Sequence, residues 1–176
     1  MMKHIPPDIG TLHFIGIGGI GMSALAQYVV AIKKGYVKGC DLALYQDTIR
    51  ILMQKKISCV HQDEWKNSVE KFQPDYFVFT NAISPHSDCA LYAQKHNIPI
   101  LYRAELLKEC LVEKNVIGIT GSHGKTTTTA LAAHVLKDTF CDPTVFVGGI
   151  MHEEKNNFIL GKSNVVVLEA DDAYKS

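Results

Sequence analysis

A chain of 176 residues suits one medium domain, or one complete domain followed by part of another. Its 47% apolar and 20% charged residues exclude a disordered polypeptide, and a formal net charge of zero excludes the broad basic footprint of a nucleic-acid or anionic-membrane binder. The 5 cysteines form no C-x-x-C pair, the N-terminal MMKHIPPDIG lacks a secretory core, and no apolar run reaches membrane-spanning length, so reduced thiols in a cytoplasmic protein are expected.

In chain order, Thr11 to Ile17 reads as a β-rich run ending in Gly16-Ile17-Gly18-Gly19-Ile20-Gly21, a G-x-G-x-x-G loop. Met22, Leu25, Ala26, Val29 and Val30 then recur at helical spacing, with Gly35 placed as a C-cap. A short strand, Val37 to Cys40, delivers Asp41 about twenty residues beyond Gly21, where a dinucleotide fold puts its ribose-binding acid. This βαβ unit offers backbone amides to a diphosphate. A tight turn for close helix packing would look the same, and Asp41 is read as a ribose ligand, a polar loop contact or an ordinary turn aspartate.

A helix over Asp47 to Lys55, a strand over Ile57 to Val60 ending at His61, and a polar helix over Glu64 to Lys71 follow. After the break at Gln73-Pro74-Asp75, Tyr76 to Thr80 is the most strand-like run in the chain. Asn81 to Pro85 forms a loop, Ser87 or Asp88 caps a helix reaching His96, Ile98 to Tyr102 is a strand, and Arg103 opens a helix over Ala104 to Val112. This alternation predicts a parallel, doubly wound sheet with ligands at the carboxyl ends of its strands. Glu113-Lys114-Asn115 is the expected junction, dividing a unit over 1–113 from another over 114–176.

The second unit opens on Val116 to Thr129, VIGITGSHGKTTTT. A β-branched strand breaks into Gly121-Ser122-His123-Gly124, then Lys125 and Thr126 lead into a helical pattern over Thr127 to Lys137. Such a junction collects anions because converging amides, a helix N-terminus and a lysine share one turn. The usual phosphate loop opens on a glycine where this chain has Ile119, yet the Gly-Lys-Thr triplet stands between strand and helix as the motif requires. Beyond Pro143, a strand over Thr144 to Val147, a turn at Gly148-Gly149, a polar excursion over Met151 to Lys162 and a buried strand over Asn164 to Leu168 are expected. That strand ends in Glu169-Ala170-Asp171-Asp172; Glu169 stands where such folds place a carboxylate for Mg²⁺, the alternative being a solvated acidic stretch.

The blocks HFIGIGGIGMSALA (His13 to Ala26), NAISPHSD (Asn81 to Asp88), IPILYRAELL (Ile98 to Leu107), GITGSHGKTTTT (Gly118 to Thr129), DPTVFVGG (Asp142 to Gly149) and VVVLEAD (Val165 to Asp171) together resemble the ATP-dependent Mur ligases of peptidoglycan synthesis, in family order. The resemblance implies an α/β protein: a Rossmann-like parallel-sheet domain for a UDP-sugar, followed by the incomplete start of a P-loop α/β ATPase domain. It puts Gly16, Gly18, Gly19, Ile20 and Gly21 near the diphosphate, with Asp41, His61, Asn81 and Arg103 as polar contacts. It makes Gly121, Ser122, His123, Gly124, Lys125, Thr126 and Thr127 the ATP loop, Lys125 the catalytic cation, and Thr126 with Glu169 the Mg²⁺ shell.

The implied cofactors are therefore ATP and Mg²⁺, and the implied substrates UDP-N-acetylmuramate and L-alanine, joined through an acyl phosphate. The murein-peptide-recycling branch and a non-catalytic sugar-nucleotide or dinucleotide-binding module stay open. The chain departs from the family at Cys40, Val60 and Asn81, which stand where the family has serine, glycine and serine. It also ends soon after Glu169, so a fragment inactive alone is expected, with a separate chain left open as the source of the missing domains.

Overall fold

The structure, a computed structural model, describes residues 9–32, 34–139 and 141–170. Asp171 and Asp172 lie outside the described residues. The first sheet contains β1 (Gly10–Ile15), β2 (Gly35–Asp41), β3 (Ser58–His61), β4 (Tyr76–Phe79) and β5 (Ile100–Tyr102). Their order is β3-β2-β1-β4-β5, with every neighbouring pair parallel. Strand order reverses between β1 and β4, which opens a crevice at their carboxyl ends.

Side-chain alternation explains the two covered faces. Leu12 and Phe14 of β1 point into a cluster with Val78, Leu101 and the helices α1 (Ile20–Ala31), α2 (Asp47–Gln54) and α5 (Arg103–Cys110). Ile15 joins Phe77 and Phe79 in a second cluster, closed by Val69 of α3 (Trp65–Phe72) and by Cys89, Ala90 and Ala93 of α4 (Asp88–Lys95). Full burial of a Leu or Phe side chain contributes about 1.5–3 kcal/mol, so alternate positions of β1 anchor both layers. The Ser87 hydroxyl caps α4 by accepting the Ala90 amide at 3.4 Å.

The second sheet contains β6 (Asn115–Ile119), β7 (Thr144–Met151), β8 (Asn156–Ile159) and β9 (Val165–Glu169), in the order β6-β9-β7-β8. All its pairs are parallel except β7 with β8. One face, through Val145, Val147 and Val167, packs on Ala133 of α6 (Lys125–Asp138). The other face, through Phe146, Phe158, Val166 and Leu168, joins the core cluster of the first sheet. Helix α1 therefore lies between two sheets, which is why the continuous run Met22 to Val29 is buried and no polar stripe remains.

Several expectations change. Gly35 opens β2, and Ile32 takes the C-cap of α1. Gly148 and Gly149 continue β7 instead of turning, in the stretch where its register with β8 shifts, and the expected polar excursion contains that β8, which folds back onto β7. Helix α6 begins at Lys125, two residues before Thr127, so the lysine and Thr126 already belong to its first turn. Among the described residues, no helix is long and apolar enough to cross a membrane.

Candidate functional site

The glycine loop between β1 and α1 turns inward on itself before it faces any ligand. The amides of Gly16 and Ile17 donate to the Cys40 carbonyl at 2.9 and 3.1 Å, and that of Gly19 to the Gly16 carbonyl at 3.1 Å. The Gly18 amide donates to Asp41 Oδ2 at 2.8 Å, while Asp41 Oδ1 accepts from the Ala43 amide at 3.0 Å. Of the readings left open for Asp41, the structure thus displays the loop contact: its buried carboxylate holds the loop's shape. The amides left for an anion are those of the first turn of α1, Ile20 to Met22, where helix geometry supplies no internal acceptor.

That turn lines a cleft of about 680 Å³ between the two sheets. Gly19, Ile20, Gly21, Asn81 and Arg103 reach it from the first sheet, and Gly148 and Glu169 from the second. Arg103 sits where β5 ends and α5 begins, and its Nη1 lies 2.6 Å from the place a Cβ on Gly21 would occupy. Only a glycine there lets the guanidinium lie against the helix N-terminus. Among the described residues that guanidinium has no hydrogen-bond or ion-pair partner, so it is free to bind an anion in the cleft. His61 stands apart: it is in register with Asp41, does not line the cleft, and its Nδ1 accepts the Asp63 amide at 3.4 Å.

On the second sheet, Glu169 ends β9 with its two oxygens in different roles. Oε1 accepts the Gly148 amide at 2.7 Å, and Oε2 accepts the Thr126 hydroxyl at 3.3 Å. A carboxylate and a hydroxyl so placed are the hard-oxygen donors that Mg²⁺ prefers. Lys125 Nζ donates to the Gly121 carbonyl at 2.5 Å, folding the lysine over its own loop. Gly121, Ser122, His123, Gly124 and Thr127 are exposed and stay outside the cleft lining; Thr126 connects their loop to it through Glu169. Gly148 is the site residue that sequence reasoning missed, since a Gly-Gly pair reads as a turn and nothing local reveals that a carboxylate docks on its amide.

The family model described as the Mur ligase family catalytic domain matches residues 11–114, and that of the Mur ligase middle domain matches residues 119–174. The UDP-N-acetylmuramate–L-alanine ligase of Dictyoglomus turgidum is 41% identical over 164 residues, covering 92% of this chain and 34% of that protein. Its counterpart in Aquifex aeolicus is 38% identical over 168 residues, covering 94% and 35%. Among solved structures, the UDP-N-acetylmuramate-alanine ligase of Thermotoga maritima superposes with a TM-score of 0.79 at 33% identity, over 90% of this chain and 36% of that one. The UDP-N-acetylmuramate:L-alanyl-gamma-D-glutamyl-meso-diaminopimelate ligase of Neisseria meningitides gives 0.82 at 26% identity, over 92% and 52%. The chain spans about a third of the length of these curated relatives. With a family model covering more than half of its residues, the chain belongs to the Mur ligase family.

Proposed function

We propose that this chain carries the sugar-nucleotide-binding and ATP-binding portions of a UDP-N-acetylmuramate:L-alanine ligase, with residues 1–113 holding the UDP-sugar and residues 114–176 beginning the ATPase domain. One observation carries the reading: the free N-terminus of α1 with Arg103 and the Glu169 carboxylate open from opposite sheets onto the same cleft. A phosphate-binding helix end in the cleft and a carboxylate that ties the cleft to the neighbouring phosphate loop through Thr126 can bring a nucleotide-linked acid and a triphosphate together.

In this reading the first-turn amides of α1 and the Arg103 guanidinium hold the diphosphate, and Asn81 contacts the sugar-nucleotide from the loop after β4. Gly16, Gly18 and Asp41 keep the loop in shape, and His61 borders the nucleoside side. Lys125 leaves the Gly121 carbonyl for the β/γ-phosphates, which the amides of residues 121–127 surround. Thr126 and Glu169 hold Mg²⁺, which when bound neutralises phosphate charge. The muramate carboxylate then attacks the γ-phosphorus and ADP leaves. The L-alanine amine displaces phosphate from the resulting acyl phosphate to form the amide. The chain's own share is positioning and charge neutralisation.

The test is a thermal melt and calorimetric titration of the chain with UDP-N-acetylmuramate. A ligand selective for the native state must raise its apparent stability. Arg103→Met removes a charge-assisted contact of about 1.5–3 kcal/mol, so affinity is expected to fall about tenfold to a hundredfold. No stabilisation of the parent chain at saturating ligand overturns the proposal. The murein-peptide-recycling branch is the second reading, favoured by the TM-score of 0.82 to the Neisseria ligase. Amide formation with L-alanine against the L-alanyl-γ-D-glutamyl-diaminopimelate tripeptide, by the whole protein that contains this sequence, separates the two.

A further inference from the structure

Helix α1 meets the second sheet through polar groups as well as apolar ones. Asn157 of β8 is fully buried, and so is Ser23, while Gln27 is 2% exposed. Asn157 Nδ2 donates to the Ile20 carbonyl at 2.6 Å and to Ser23 Oγ at 2.9 Å, and its Oδ1 accepts from Gln27 Nε2 at 3.1 Å. Asn156 completes the set, donating to Gln27 Oε1 at 3.0 Å and accepting from Gln27 Nε2 at 3.2 Å. Ser23 Oγ in turn donates to the Ile20 carbonyl at 3.0 Å. Both Gln27 amide hydrogens and its oxygen are satisfied, as are both Asn157 hydrogens, so the network has one good arrangement and strongly penalises others.

Its position gives that specificity a use. Ile20 is the first residue of α1 and lines the cleft. Its carbonyl is gripped from a strand 137 residues away in sequence. Apolar packing of Tyr28 on Phe146 and Phe158, at centroid distances of 5.2 and 5.9 Å, holds the middle of the helix but tolerates sliding and rotation. Directional hydrogen bonds at the first turn do not. We propose that Asn157 is a positioning residue for the anion-binding end of α1, fixing from the second sheet the direction in which the Ile20 to Met22 amides face the cleft. This rests on the sugar-nucleotide reading for its ligand, but not for its structural half.

The experiment compares the 176-residue chain with Asn157→Leu, Asn157→Asp and Val69→Ala. Leucine removes both donors, and aspartate keeps the shape while losing donors when ionised. Val69 lies in the separate core cluster of the first sheet and serves as a core-truncation control away from α1. Two readouts are taken: amide hydrogen exchange at Ser23, whose amide closes the first turn of α1 on the Gly19 carbonyl at 2.8 Å, relative to β1, and calorimetric affinity for UDP-N-acetylmuramate. Both Asn157 variants are expected to speed first-turn exchange at least tenfold relative to β1 and to lower affinity at least tenfold. Val69→Ala is expected to keep both within twofold. Unchanged first-turn exchange, or an affinity loss no larger than that of Val69→Ala, overturns the inference. If the parent chain does not bind the sugar nucleotide, the functional reading fails and the exchange ratio alone decides the positioning role. If the Asn157 variants fail to fold, Ser23→Ala, which deletes one partner, is judged by the same readouts.

Discussion

The Thr126 hydroxyl and the Glu169 carboxylate meet at 3.3 Å across the gap between the first turn of α6 and the end of β9, from positions 43 residues apart in sequence. Parallel pairing of β6 with β9, which sets Ile119 opposite Glu169, brings the carboxylate to the mouth of the phosphate loop. Exchange of charge at constant shape tests its role. Glu169→Gln keeps the shape and one oxygen to accept from the Gly148 amide, turns an NH2 donor towards the Thr126 hydroxyl oxygen, and removes the anion, so Mg²⁺-dependent nucleotide binding is expected to weaken at least tenfold while UDP-N-acetylmuramate binding stays within twofold. Calorimetry with each ligand, with and without Mg²⁺, measures both; equal losses for the two ligands count against a metal role.

Gly148 makes the close docking of that carboxylate possible. A Cβ on Gly148 would run into the Glu169 side chain, whose oxygens are held by the Gly148 amide and the Thr126 hydroxyl. Gly148→Ala should therefore displace Glu169 and destabilise the fold by about 1–3 kcal/mol, the usual cost of overpacking. A urea denaturation midpoint that does not move would show that the carboxylate shifts without cost.

His13 introduces a pH dependence. Its ring is fully buried against Phe77 at 5.7 Å, with neither nitrogen hydrogen-bonded. Burial, aided by the nearby Lys38 charge, lowers its pKa from 6.5 to about 4. The unfolded chain then binds the extra proton between these values, so His13 leaves stability intact above its unfolded pKa and erodes it as pH falls towards about 4. The slope approaches about 1.4 kcal/mol per pH unit at its steepest. His13→Phe should flatten the urea-midpoint profile between pH 6.5 and 4; an unchanged acid limb would assign the loss to other groups.

The thiols divide by burial. Cys40 and Cys59 are pushed up to about 12, and Cys89 and Cys110 to about 11, burial being the main cause for each. Thiolate is the reactive form, so these four should resist a disulfide reagent at pH 8, while the half-buried Cys141 reacts first. Titration is expected to give one fast thiol in the native chain and all 5 in denaturant. Rapid modification of a second thiol would reveal local opening of the first sheet.

The sequence by itself determined the alternation of strands and helices, the two glycine-framed loops and the family, because each depends on local pattern: β-branched runs, glycine where backbones turn or approach closely, and a lysine beside a hydroxyl at a helix start. Residues next to one another in the chain were legible, and so were Arg103 and Glu169 at strand ends. Only the tertiary structure decided what those loops do with their own hydrogen bonds. It gave the Gly18 amide to Asp41, left the first turn of α1 facing the cleft, and drew Gly148 and Glu169 together from different strands. The Gly-Gly pair was misread as a turn because the chain runs on through it as an irregular stretch of β7 and folds back into β8 only after Met151. Gln27 and Ser23 look like solvent-facing helix residues in the sequence, and are buried because α1 has a sheet on each side. Long-range pairing and burial are properties of the whole chain, which no window of neighbouring residues contains.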